Sequence, residues 1–182
     1  AYGMARGISQ TGYIGYDLSV GDITLSFDTS KTTGGTNRSA SVSFTGIDGL
    51  QVVAGAAETL TAQANAGVDQ ETVGVKYTMG SITVAAQANE VDDASTSNDD
   101  EDATHIGVSF ALSDQVSVSY AQLETDFGKS TKTADETVSG VGVSYTAGSM
   151  SIKAYAGKTE NNAGSSTAVD LEEKGVTLSF SF

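Results

Sequence analysis

His105 is the only histidine in these 182 residues, and there is no cysteine. Nucleophilic catalysis near neutrality needs a base to deprotonate a serine, or a thiolate. A Ser-His-Asp arrangement would have only His105 to build on, and no motif surrounds it. No phosphate loop, dinucleotide-binding glycine pattern or metalloprotease helix is present. The sequence therefore predicts no enzyme and no organic cofactor. The run from Glu90 to Asp102 holds seven carboxylates (Glu90, Asp92, Asp93, Asp99, Asp100, Glu101, Asp102) and no base. Such oxygen ligands suit Ca²⁺ or Mg²⁺, with Asp92, Asp93, Asp99, Asp100 and Asp102 as candidates. The spacing lacks the glycine and distal glutamate of an EF-hand, so a solvated loop is the competing reading. Lys76 and Lys153 are flanked by Val75 and Tyr77 and by Ile152 and Ala154. In an extended chain such lysines stand mid-strand on the polar face, opposite their neighbours. Set against carboxylates across a passage, they can create a field that orients dipolar solutes; Gln87 lies on the same kind of face, and Asp17 and Asp28 are weaker candidates of the same kind. The plain alternative is solubilising charge.

These side chains need a scaffold, and composition narrows it. The net charge is −14, from 23 acids against 9 bases, which argues against general electrostatic binding to nucleic acid or anionic lipid. No apolar run approaches the ~18 residues of a membrane-spanning helix. Proline is absent, whereas a chain of this length would carry about nine. Proline removes a ladder donor and is confined to sheet edges and bulges, so its absence suits strands paired on both sides. The chain opens Ala1-Tyr2-Gly3-Met4, without the basic and then apolar segments of a signal peptide, and reads as a mature product or a piece of one.

Alternation with period two dominates the rest and predicts eleven strands. Ile14, Tyr16, Leu18 and Val20 face one way, Gly21-Asp22 turns, and Ile23, Leu25 and Phe27 continue the face; a Gly-Asp pair between alternating runs is a hairpin signal. Further hairpins turn at Gly46-Ile47-Asp48-Gly49, Gly80-Ser81, Ser113-Asp114-Gln115 and Ala147-Gly148-Ser149, and Val176, Leu178, Phe180 and Phe182 close the chain. Gly74-Val75, Gly107-Val108, Gly142-Val143 and Gly175-Val176 recur 33, 35 and 33 residues apart and are expected to begin corresponding strands.

None of the apolar-face positions named above is charged, while the other face is mostly Gly, Ser and Thr. A soluble sandwich also alternates, because one face packs and the other meets water. Three features favour a membrane barrel. Short turns alternate strictly with long polar loops. The polar face lacks the dense Lys, Glu and Arg of soluble sheets. Phe44, Tyr77, Phe110, Tyr145 and Phe182 cluster at the short-turn ends, as an interfacial aromatic girdle requires. In lipid every backbone group must be paired within the protein, so such strands must close into a barrel.

The ending Glu173-Lys174-Gly175-Val176-Thr177-Leu178-Ser179-Phe180-Ser181-Phe182 resembles the C-terminal strand of Gram-negative porins, and Gly15–Asp22 and Gly46–Leu50 look like porin hairpins of the alpha-proteobacterial type. The resemblance implies an all-β, transmembrane up-and-down antiparallel barrel of sixteen strands in the outer membrane, forming a water-filled channel for passive diffusion of small hydrophilic solutes and ions. Residues 1–182 would then be one porin domain: 1–10 the tail of the constriction loop, with Arg6 near the narrowest point, and 11–182 strands six to sixteen. It also implies periplasmic short turns, Phe180 and Phe182 as the signal read by the barrel-assembly machinery, a homotrimer, and contact with lipid and lipopolysaccharide. Divalent cations would bridge the acidic loop to lipopolysaccharide phosphates. The alternative from another class is a surface-exposed structural or adhesive β protein.

Overall fold

In a computed structural model the described residues are 12–32, 35–61, 67–93, 100–128 and 131–181. They form one antiparallel sheet of eleven strands: β1 (Gly12–Val20), β2 (Ile23–Thr32), β3 (Gly35–Ile47), β4 (Leu50–Thr61), β5 (Gly67–Met79), β6 (Ile82–Asp93), β7 (Glu101–Ala111), β8 (Val116–Phe127), β9 (Glu136–Ala147), β10 (Met150–Glu160) and β11 (Leu171–Phe180). Each strand pairs with its sequence neighbours, in the linear order β1 to β11. This is the up-and-down meander that the alternation predicts.

The short turns follow from local chemistry. Gly49 has φ +74°, and a Cβ there would collide with the Thr78 carbonyl, so only glycine fits. The β3–β4 turn is tighter than expected: pairing runs on to Ile47↔Leu50, with a bulge between Phe44 and Ile47. The Gly46-to-Gly49 turn thus shrinks to Asp48-Gly49, and the extra residues are absorbed as a bulge. Between β7 and β8, where no glycine is available, Ser113 Oγ accepts from the backbone N–H groups of Gln115 (3.3 Å) and Val116 (3.1 Å), a side-chain turn.

The register fixes the shape. One row of directly paired residues starts at Ser19 and Thr24, beside the first turn, and passes through Ser43, Val53, Gly74, Gln87, His105, Leu123, Val138 and Thr159. It ends at Leu171, the outermost residue of β11. A row that climbs from turn to loop across the sheet means strongly tilted strands, the stagger a barrel needs to close.

Strand lengths correct one expectation. Gly74-Val75, Gly107-Val108, Gly142-Val143 and Gly175-Val176 lie well inside their strands rather than at the starts. The hydropathy pattern fades where both faces are polar, yet backbone pairing continues outward, with Glu71↔Glu90 and Val91↔Glu101 still in register.

No hydrophobic side chain is buried among the described residues. Ile14 is 72% exposed and Val176 75%, and both belong to the apolar face. A soluble domain of this size buries a core. This sheet instead presents its aliphatic groups outward, with Tyr77, Phe110, Tyr145 and Phe180 exposed near the short turns. Phe182 lies outside the described residues.

Candidate functional site

The polar face carries the candidate site, and pairing fixes which residues share it. Asp17 stands opposite Ser26. Asp28 accepts a hydrogen bond from Ser39 Oγ across β2–β3. Lys76 lies between Gln51 and Ala85, and Lys153 between Ser144 and Thr177. Both lysines sit near the short-turn ends of β5 and β10, not mid-strand as the flanking hydropathy suggests, because their strands run further outward than the alternation does. Gln87 lies between Gly74 and His105. Its amide donates to Asn89 Oδ1 (2.7 Å), which also accepts from Thr72 Oγ1 (2.9 Å). His105 faces Gln87 and Leu123 in register, so neither a serine nor a carboxylate stands directly across from it. Arg6 lies outside the described residues.

Lys76 begins a row that continues through Ala85, Gly107, Ala121, Gly140 and Gly157 to Glu173. Five strands thus offer only Ala or Gly between a cation and a carboxylate, leaving the wall thin and the charges far apart. At its far end Tyr155, on the same face, donates from its hydroxyl to Glu173 Oε1 (2.7 Å). Its ring lies where a Cβ of the directly paired Gly175 would be. Tyr155 and Glu173 therefore lie on the same wall as Lys153. Sequence reasoning missed both, although parity holds the signal: Tyr155 is two residues from Lys153, and Glu173 is four from Thr177.

The acidic run divides. Glu90, Asp92 and Asp102 occupy the apolar face above its aliphatic band, on paired strand ends rather than in a loop. Asp93 alternates to the polar face, and its backbone N–H donates to Asp100 Oδ1 (2.9 Å). Asp99 lies outside the described residues. Among the described residues no three acidic or histidine side chains converge to hold a metal ion, so Asp92, Asp93, Asp100 and Asp102 do not by themselves form a coordination site. The geometry gives an acidic rim instead. Glu58 stands opposite Asp69, Asp69 opposite Asp92, Glu71 opposite Glu90, Glu90 opposite Asp102, and Asp102 opposite Asp126. Directly opposed like charges are destabilising. On β10 and β11 the rim is mixed: Lys158 bridges Glu160 and Asp170, the latter at 2.9 Å, and Lys174 pairs with Glu172.

A polar wall of tilted strands with sparse charges, backed by an apolar band, can pass water and small solutes along one face while lipid covers the other. Solved structures share this architecture. An anion-selective porin from Comamonas acidovorans superposes with a TM-score of 0.71 at 13% identity, over 91% of this chain and 57% of that one. A porin refined at 1.8 Å resolution gives 0.69 at 14% identity, over 89% and 59%. The trimer form of OmpT, an outer-membrane protein of Vibrio cholerae, gives 0.66 at 17% identity, over 92% and 64%. This chain thus spans less than two thirds of each. No curated relative matches by sequence. The model of the Gram-negative porin family matches residues 2–182, and the chain belongs to that family.

Proposed function

We propose that this chain supplies eleven strands of a sixteen-stranded outer-membrane channel through which small hydrophilic solutes and ions diffuse passively. The observation that carries this is the exposed aliphatic band backing a wall of Gly, Ser and Thr, since such a sheet is stable only with lipid on one side and water on the other. The channel does no chemistry. Its selectivity comes from passage size and from charge, with Lys76 and Lys153 set against Asp17, Asp28 and Glu173 on the lumen wall. The acidic rim and the net charge of −14 concentrate cations at the outer mouth by field focusing. The full porin in a planar bilayer is therefore expected to conduct in stable steps and to prefer cations in 0.1 M salt. The preference fades at 1 M as the Debye length falls from about 10 to about 3 Å. Reversal potentials at both concentrations check it, and anion preference at low salt would mean that the lumen lysines outweigh the rim.

The working form is a homotrimer, by analogy with the trimeric Vibrio neighbour, assembled through recognition of the terminal strand ending in Phe180 and Phe182. Ca²⁺ or Mg²⁺ held loosely between the rim carboxylates and lipopolysaccharide phosphates fits the opposed pairs Glu71–Glu90 and Glu90–Asp102. Removing divalent ions with EDTA is then expected to lower the temperature at which the trimer dissociates on a detergent gel, with recovery on adding Mg²⁺. No shift would remove the bridging role.

A further inference from the structure

The loop between β10 and β11, residues 161–170, reaches across the wall instead of standing above the strands it joins. Its short 3-10 turn, Asn162–Gly164, packs against β8 and β9. The groups that receive it, Phe127 and Glu136, lie on the polar face by strand parity, Phe127 with Ser117 and Glu136 with Val138. Gly164 is buried, and the Phe127 ring fills the space a Cβ would take. Lys132, from the loop between β8 and β9, holds its ammonium 4.7 Å above the Phe127 ring and donates to the Ala163 carbonyl. Glu136 Oε2 accepts from the Ala163 N–H (2.5 Å). Both backbone groups of Ala163 are thus held from outside its own loop, and Ala163 itself is left-handed (φ 56°), as is Asn161 (φ 52°). Non-glycine residues keep that conformation only where their surroundings impose it. Further bonds complete the joint: Thr133 N donates to the Gly164 carbonyl (2.9 Å), Ser166 N to Thr133 Oγ1 (2.9 Å), and Asn161 Nδ2 to the Asp135 carbonyl (3.0 Å).

We propose that residues 161–170, pinned by Lys132 and Glu136, form a fixed constriction at the outer mouth of the passage that screens entering solutes by size. The inference rests on the channel reading above. Size is the criterion because residues 161–169 carry no charge and Asp170 is paired with Lys158.

The test uses the full porin. The double variant Lys132→Ala/Glu136→Ala loses one charge of each sign and both holds on Ala163. Its single-channel conductance is expected to rise, and liposome swelling should show a several-fold higher rate for a tetrasaccharide relative to a monosaccharide, with the reversal potential unchanged. A second variant, Thr133→Cys/Ser166→Cys, replaces hydroxyls 3.0 Å apart. On oxidation it is expected to form a disulfide and keep wild-type conductance, because the bond locks the loop where it already lies. Failure of that disulfide to form overturns the placement of the loop, whether or not the protein conducts. A formed disulfide together with unchanged sugar rates in the Ala variant overturns the screening role. A wild-type protein that does not conduct counts against the channel, and disulfide formation would still report the loop.

Discussion

Val75→Lys is expected to destabilise the folded porin by about 2–4 kcal/mol, while Ser109→Lys costs far less and alters conductance instead. Val75 lies in the aliphatic band, paired with Val52 and Ala86, so its replacement would put an ammonium among lipid tails near mid-bilayer. Ser109 pairs with Thr83 and Ser119 on the opposite face, where an added lysine joins Lys76 and Lys153 in water. Urea titrations of protein refolded in detergent or lipid measure the first effect and planar-bilayer recordings the second. Equal destabilisation by both substitutions would contradict the assignment of faces.

A larger effect is expected from isolating the chain. In the linear order β1 to β11, one edge of β1 and one of β11 have no partner strand among the described residues. Each unpaired backbone group in hydrocarbon costs several kcal/mol, and neither strand has proline or apolar-face charge within the band to protect its edge. A polypeptide of residues 1–182 is therefore expected to give no cold-detergent, heat-modifiable species, whereas the same residues joined to about five further strands fold. A conducting species of 18.5 kDa would instead mean a smaller barrel in which residues 1–9 supply a twelfth strand.

The band region was legible in the sequence because two solvents imprint it. Val73, Val75, Tyr77 and Met79 must suit lipid while Thr72, Gly74 and Lys76 meet water, so period two appears and the turns fall where it breaks. Above the band both faces are wet and the imprint vanishes. Glu90 and Asp102 then read as loop although their backbones are paired, and the height of Lys76 in its strand is misjudged. The Tyr155–Glu173 contact depends on the register between β10 and β11, which periodicity leaves open. The joint between Lys132 and Ala163 spans two loops, where no period operates.

The most direct test of the central claim uses adjacent positions on β7. With no cysteine in these 182 residues, Val108→Cys and Ser109→Cys can each be introduced into the full porin and exposed in a bilayer to a charged, water-soluble thiol reagent. The water-filled-wall account predicts that Ser109→Cys reacts and its conductance changes, while Val108→Cys, facing lipid, stays unmodified. Equal reaction at both positions, or reaction only at Val108→Cys, would contradict it.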